Sequence, residues 1–133
     1  MNYKLGDKAS FSKTITEYDV YSFAGITGDF NPVHVNSVVA SKSRFKNQIC
    51  HGMLVSSFIS TVLGMYLPGP GTIYLEQNVK FVKPVYINDT IETSVEIVDI
   101  EGKIISLKTV ICNQNHEVVV DGMAKVLFDN EGV

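Results

Sequence analysis

The residues of this sequence best suited to chemistry lie between Gly28 and Asn36, in the stretch Gly-Asp-Phe-Asn-Pro-Val-His-Val-Asn. This stretch places a carboxylate, Asp29, five positions before an imidazole, His34. A carboxylate and an imidazole form the commonest pair for moving protons near neutral pH. Pro32 lacks a backbone N–H and disfavours helical geometry at the residue before it, so the stretch is predicted to be a bent loop rather than a regular helix or a central strand. Such a loop can aim both side chains at one point.

The same two residues also fit a plainer interpretation, in which a helix ends at Gly28 and a solvated polar turn follows. An acid and a histidine at this spacing are a weak motif by themselves. The elements around the pair are therefore needed to distinguish a catalytic site from an ordinary turn.

The composition indicates one soluble globular domain over residues 1–133. With 11 basic and 14 acidic residues, the chain has no basic face suited to nucleic acid. Cys50 and Cys112 do not form a metal-binding pattern and are expected to be buried free thiols in a reducing compartment. The N-terminal residues contain no apolar run, so we expect neither a signal peptide nor a membrane anchor, and a cytoplasmic location.

Local signals predict a strand and two helices in the first third of the chain. Thr16 is placed to cap a helix with acidic residues in its first turn, and Gly28 is placed to stop it. Asn36 and Ser37 are placed to cap the next helix. The predicted elements are a strand over 8–15, a helix over 16–27 and a short helix over 38–45.

The most apolar part of the chain is a predicted helix from Gly52 to Leu67. No Asp, Glu, Lys or Arg occurs between Ile49 and Leu75, which indicates a helix buried on every side. A helix of this length spans about 24 Å and is shorter than the ~20 residues needed to cross a bilayer. The chain should therefore hold a central core helix, ended by the Pro-Gly-Pro-Gly sequence over 68–71.

The remainder of the chain alternates apolar and polar residues with a period of two, which is typical of half-buried strands. In the first of these strands, Ile73, Leu75, Val79 and Phe81 are predicted to share the buried face. Short turns between the strands indicate antiparallel neighbours. The predicted strands span 72–83, 90–100, 103–113 and 117–128. The fold class is therefore α+β, with an antiparallel sheet curled around one long helix.

Three segments in the right order resemble the MaoC-type, (R)-specific enoyl-CoA hydratases of the hydratase 2 family. They are Thr-Gly-Asp-Phe-Asn-Pro-Val-His over 27–34, His-Gly-Met-Leu-Val-Ser-Ser over 51–57, and Leu-Pro-Gly-Pro-Gly-Thr-Ile-Tyr-Leu over 67–75. The similarity extends over nearly the whole chain. It implies the hot-dog fold, a curved antiparallel sheet wrapped around a central helix.

The resemblance also implies an activity and the residues that perform it. The family adds water reversibly and in syn fashion to a trans-2-enoyl thioester, giving an (R)-3-hydroxyacyl thioester. Its catalytic acid matches Asp29 and its catalytic histidine matches His34, while Asn31 matches an orienting residue. Its active-site serine matches Ser57, and its oxyanion donor, a backbone N–H at the start of the central helix, matches Gly52. The chemistry requires no metal and no organic cofactor.

Two neighbouring residues compete with these assignments. Ser56 could take the role of Ser57, and either hydroxyl could instead hydrogen-bond within the helix. Cys50 beside His51 could suggest a nucleophile and its base, but adjacent side chains diverge on a helix or strand. We therefore expect His51 to be a residue at the entry of the helix, with no catalytic role.

The charged residues outside the motifs give weaker predictions. Lys42, Arg44 and Lys46 are expected to form a solvated face, from which one cation could meet the phosphates of coenzyme A. His116 is placed in a turn and receives no role.

Other functions of the same fold are less favoured by the sequence. Hot-dog thioesterases and acyl-carrier dehydratases commonly place a carboxylate on the central helix, and 52–67 contains none. A non-catalytic acyl-binding module would not need Asp29 and His34. The acyl length, the carrier and the pathway stay open. The edge strand and apolar rim of such a sheet predict a homodimer.

Overall fold

Five antiparallel strands form one sheet in the computed structural model, which describes residues 3–129. The elements are β1 (Lys8–Thr14), α1 (Glu17–Thr27), α2 (Pro32–Val35), α3 (Ser37–Ser41), α4 (Gly52–Met65), β2 (Thr72–Phe81), β3 (Thr90–Glu101), β4 (Ile104–Cys112) and β5 (Val118–Phe128). The strand order is β1-β3-β4-β5-β2, so β1 and β2 are the edge strands. The prediction that strands joined by short turns are neighbours is wrong for β2 and β3, because β2 pairs with β5. The extreme ends of the predicted 1–133 domain lie outside the described residues.

The helix α4 packs against β1, β2 and β3 on one face of the sheet. Together they enclose the apolar core, in which Ile59 and Val62 of the helix meet Ile91, Ile105 and Ile111 of the strands. Burying branched aliphatic side chains from both layers is the main stabilising contribution in such an arrangement. The predicted α+β architecture, an antiparallel sheet around one long helix, is confirmed.

The predicted signals at the ends of α1 are also confirmed. Thr16 caps the helix, and Asp19 completes a reciprocal capping box by accepting from the backbone N–H of Thr16. Gly28 follows the helix with φ of 84°, in the left-handed region that glycine adopts without a Cβ clash. The chain therefore turns sharply just before Asp29.

The stretch after Gly28 differs from the prediction of a loop without regular helix. The turn α2 is helical, because Pro32 occupies its first position, where a backbone N–H would have no partner in any case. Asn31 caps it by accepting from the N–H of Val33 at 3.3 Å. The next helix, α3, begins after Asn36 as predicted but ends at Ser41, short of the predicted end at residue 45.

The prediction that the central helix is buried on every side is wrong for the single chain. The helix buries Leu54, Val55, Ile59, Val62 and Leu63, whereas Met53 and Met65 are 63% and 65% exposed. A helix without charged residues is expected to contact apolar surroundings. One chain need not supply all of these surroundings. In the part of the chain that the structure describes, no helix has the length and apolarity to cross a membrane.

The edge strand β2 also leaves more apolar surface uncovered than its alternation predicts. Val79 packs against the core, whereas Ile73, Leu75 and Phe81 are about half exposed. A β-bulge between Tyr74 and Glu76 breaks the alternation near the start of the strand. The helix α4 contacts β2, so the exposed apolar residues of both elements lie on neighbouring parts of the chain's surface.

Candidate active site

The imidazole of His34 is fixed by the segment that precedes α4. It is 9% exposed, and its Nδ1 lies 2.7 Å from the backbone oxygen of Ile49. Gln48 adds a second connection by donating its side-chain N–H to the backbone oxygen of His34 at 2.6 Å. These bonds join the turn α2 to residues 48 and 49, fourteen and fifteen positions after His34.

Asp29 is held mainly by bonds within its own loop. Its backbone N–H donates to the hydroxyl of Thr27 at 3.2 Å, and its carboxylate accepts from the backbone N–H of Asn31 at 3.1 Å. The side chain is otherwise exposed. The side chain of Asn31 caps α2, so its carbonyl oxygen orients the turn that carries His34.

The structure brings the predicted acid and imidazole together. A carboxylate oxygen of Asp29 and a ring nitrogen of His34 lie within 4.8 Å of each other. Two groups at this separation can both hydrogen-bond to one water molecule, because each bond spans about 2.8 Å. The pair is therefore arranged for proton transfer to and from a shared water.

The hydrogen bond to Ile49 also assigns the proton on the neutral His34 ring. A backbone oxygen can only accept, so Nδ1 carries the hydrogen and Nε2 keeps a lone pair. Burial lowers the pKa of His34, and the charge of a neighbouring imidazole, His51, lowers it further, against the raising effects of the Ile49 bond and Asp29. His34 is therefore neutral near pH 7 and can act as a base through Nε2.

His51 lies beside the pair, although the sequence predicted only a helix-entry residue. It precedes α4, is 2% exposed, and its Nε2 lies 2.9 Å from the backbone oxygen of Asp29. Its ring stacks on that of His34, with centroids 4.0 Å apart and planes at 27°. The motif His-Gly-Met at the helix start was the available signal, but the sequence did not show that this histidine reaches Asp29.

Asp29, His34 and His51 are also the residues of this site that could hold a metal ion, since one ligand atom of each lies within 4.8 Å of the others. Each of the two rings has one nitrogen bonded to a backbone oxygen, a bond that orients a histidine for metal ligation and for proton transfer alike.

The N-terminus of α4 opens next to His34. No side chain of the described residues caps this end, so the first N–H groups of the helix are available to a ligand. Gly52, the first helical residue, lines the same cavity as His34. A Cβ at Gly52 would lie 2.8 Å from the ring of Phe81, so this position has no room for a side chain without movement of that ring.

A cavity of about 430 Å³ connects these groups, which is large enough for a drug-sized ligand. Of the predicted basic cluster, Arg44 lines it, whereas Lys42 and Lys46 do not. Lys83 lines the cavity as well and forms an ion pair with Glu117. Lys83 was not predicted from the sequence, because it belongs to no motif. It follows the strand β2 and is 39 positions after Arg44 in the chain.

Ser57 lies in a different place from His34. Its hydroxyl donates to the backbone oxygen of Leu54 at 2.6 Å, and Ser56 makes the equivalent bond to Met53 at 3.1 Å. Both serines line a second cavity of about 500 Å³ between α4 and β2. Met53 borders both cavities, so the two are neighbours, and the role of Ser57 stays a prediction.

Cys50 lines the first cavity but is not suited to nucleophilic attack. Burial, together with the charges of Asp89 and Asp19, raises the pKa of its thiol to about 12. A thiol with such a pKa is almost entirely protonated near neutral pH and is a weak nucleophile. This agrees with the expectation that Cys50 and His51 do not form a catalytic pair.

Comparisons with known proteins give consistent matches over most of the chain. The family model described as "MaoC like domain" matches residues 3–120. A relative from Rhodospirillum rubrum named (R)-specific enoyl-CoA hydratase is 45% identical over 131 residues, covering 97% of this chain and 90% of its own. A relative from Methylorubrum extorquens named 3-hydroxybutyryl-CoA dehydratase is 41% identical over 125 residues, covering 92% and 79%. The solved structure of an (R)-hydratase from A. caviae involved in PHA biosynthesis has a TM-score of 0.94 at 36% identity, covering 96% and 98%, and confirms the hot-dog fold.

Proposed function

Because this chain belongs to the family of MaoC-like domains, we propose that it is an (R)-specific enoyl-CoA hydratase. The observation that carries the proposal is the separation of the Asp29 carboxylate and the His34 ring nitrogen, which lie within 4.8 Å of each other, together with the cavity that His34 lines. The names of the relatives from two bacteria agree with this activity. The reaction adds water across the C2–C3 double bond of an enoyl thioester and runs in both directions.

Asp29 and His34 share the water that is added. As the water oxygen forms its bond to C3, one of its protons passes to the Nε2 lone pair of His34. Nε2 of His34 then gives this proton to C2 from the same face, so the addition is syn and the enzyme returns to its starting protonation. The burial of His34 supports this scheme, because it keeps the ring neutral and ready to accept a proton.

The start of α4 stabilises the charge that develops on the thioester oxygen. Backbone N–H groups at a helix N-terminus point outward and carry the positive end of the helix dipole. Gly52 supplies such a group next to His34, and its missing side chain leaves room for the Phe81 ring against the start of the helix. The acyl thioester therefore lies in the cavity with its oxygen directed at Gly52.

Arg44 and Lys83 bind the phosphates of the coenzyme A carrier. They are cations that line the cavity, whereas Lys42 lies outside it. We expect Arg44→Ala and Lys83→Ala each to raise KM about 3- to 10-fold with kcat little changed, because each removes a contact made equally in ground and transition states. Lys42→Ala is the matched control and should leave both constants near native values. Equal effects of all three substitutions would contradict this assignment.

The activity is tested with crotonyl-CoA. Loss of the absorbance of its conjugated double bond, with (R)-3-hydroxybutyryl-CoA as product, is the expected result. Release of free thiol would instead indicate a thioesterase, and binding without turnover would indicate an acyl-binding module. A series of enoyl-CoA chain lengths, compared with the same acyl groups on acyl carrier protein, then defines the acyl length and the carrier.

The protein functions as a homodimer joined through β2. This edge strand begins with the exposed residues Ile73, Tyr74 and Leu75, ahead of the charged Glu76 and Lys80, whereas the other edge, β1, carries Lys8 and Lys13 near its two ends. Charged side chains protect an edge from pairing, and an apolar edge favours it. Pairing two β2 strands would cover the exposed face of α4 beside them and place the second cavity at the interface. A monomer by sedimentation at micromolar concentration would contradict the proposal.

The protein works in the cytoplasm. Its two cysteines, Cys50 and Cys112, are free in the structure, and a reducing compartment preserves free thiols. Cell fractionation with an antibody to the protein tests this location, and recovery outside the soluble cytoplasmic fraction would contradict it.

A further inference from the structure

His51 contacts both members of the proposed catalytic pair. Its Nε2 is 2.9 Å from the backbone oxygen of Asp29, and its ring lies against that of His34 with centroids 4.0 Å apart. Asp29 and His51 are 22 positions apart in the chain, so this bond joins the catalytic loop to the start of α4. The other bonds made by Asp29 stay within its own loop.

The surroundings of His51 define its hydrogen-bonding state. The backbone oxygen of Asp29 accepts, so Nε2 of His51 carries the hydrogen. Its Nδ1 is buried and has no hydrogen-bond partner among the described residues. The bond from Nε2 to the loop is therefore the hydrogen bond that this ring makes among the described residues.

The ring of His51 is also fixed in position. Phe23 of α1 packs on it with centroids 4.9 Å apart and planes at 58°, and His34 of α2 stacks on it at 27°. A side chain that is 2% exposed and contacted by aromatic rings from two helices has little freedom to turn. The donor at Nε2 is consequently a rigid anchor for the exposed loop that carries Asp29.

We propose that His51 is a positioning residue, which sets the Asp29 carboxylate in register with the His34 imidazole through its bond to the Asp29 backbone. The inference rests on the proposed hydratase function. A carboxylate on an exposed loop would otherwise sample positions in which it cannot share a water with His34. A displacement of about 1 Å is enough to lower a rate by about 10²-fold, so one loop anchor can decide turnover.

Two substitutions separate the hydrogen bond from the packing of the ring. His51→Phe keeps a flat aromatic ring between Phe23 and His34 but removes the donor. His51→Gln loses the ring but can place an amide N–H near the position of Nε2. We expect His51→Phe to lower kcat with crotonyl-CoA by about 10- to 100-fold, with KM changed less than about 3-fold, because the anchor acts on a catalytic group. His51→Gln should stay within about 3-fold of the native kcat.

A second measurement tests the mobility of the loop that carries Asp29 independently of catalytic turnover. Hydrogen exchange of the His34 backbone amide, which donates to Asn31 at 2.9 Å, reports how firmly the catalytic loop is held. It should be roughly 5-fold faster in His51→Phe and near native in His51→Gln, as expected for loss of one hydrogen bond. His116→Asn, in the exposed turn between β4 and β5, is the control and should match the native protein in both measurements.

Two results would overturn the inference. One is a His51→Phe protein with native kcat and native hydrogen exchange of the His34 amide, since the bond from His51 would then not fix the position of the loop. The other is a His51→Gln protein as impaired as His51→Phe, since the ring would then matter through packing alone. If the native protein fails to hydrate any enoyl thioester, the proposed function fails, and the exchange measurement still decides whether His51 anchors the loop.

Discussion

Replacing His34 in two ways separates its role as a base from its role in the fold. The amide of Asn can place an N–H where Nδ1 lies, so His34→Asn can keep the bond to Ile49 that measures 2.7 Å, but it has no counterpart of Nε2. His34→Ala loses both the bond to Ile49 and Nε2. The two variants therefore share the loss of the base and differ in the bond that holds the turn α2.

The structure sets the expected magnitudes. Loss of a general base lowers turnover by about 10²- to 10⁴-fold, which is about 2.7 to 5.5 kcal/mol in activation free energy, and both variants should show this loss. His34→Ala should also lower the free energy of unfolding by about 1 to 2 kcal/mol more than His34→Asn, because the oxygen of Ile49 is part-buried and loses its partner.

Crotonyl-CoA absorbance measures turnover, and urea denaturation at one protein concentration measures the free energy of unfolding. Asp121→Asn, at an exposed position of β5, is the control for a neutral surface change. A His34→Asn protein within about tenfold of the native rate would refute the assignment of Nε2 as base. A double variant with Asp29→Asn should be little slower than the slower single variant, because groups that share one water fail as a unit. Losses that multiply fully would also refute the scheme.

Further predictions concern pH, the helix start and the dimer. Burial lowers the folded-state pKa of His34, so the acid limb of the kcat/KM profile should have its midpoint below 6.5, and His34→Asn should abolish it. Because the pKa of His34 is lower in the folded state, the unfolded state takes up this proton at a higher pH. The free energy of unfolding should therefore fall as pH drops from 6.5 toward the folded-state pKa. Gly52→Ala should lower kcat at least about 10-fold, because its Cβ meets the Phe81 ring at 2.8 Å, and Phe81→Leu should partly restore it. Leu75→Asp should give a monomer by sedimentation, whereas Val98→Asp, also at a bulge and similarly exposed, should stay dimeric.

Much of the fold could be predicted because its signals are local. Thr16 and Asp19 cap α1 through bonds between residues three positions apart, and Gly28 ends it through its own backbone freedom. The alternation of apolar residues likewise predicted the strands β2 to β5, although not that β2 lies beside β5. The misplaced end of α3 and the helical turn at Pro32 show the limit of such signals, because a few residues can continue or end a helix at similar free energy.

The sequence by itself predicted that Asp29, His34 and Gly52 belong to one site, because the segments that hold them resemble those of one family. Only the tertiary structure decided how these residues are arranged. Burial lowers the pKa of His34 although its ring is bonded to the oxygen of Ile49, and His51 reaches Asp29 across 22 positions. Such contacts depend on how helices pack and how strands register, since residues far apart in sequence have no local preference for each other. The face of α4 left uncovered follows from the same packing, which no run of apolar residues could reveal.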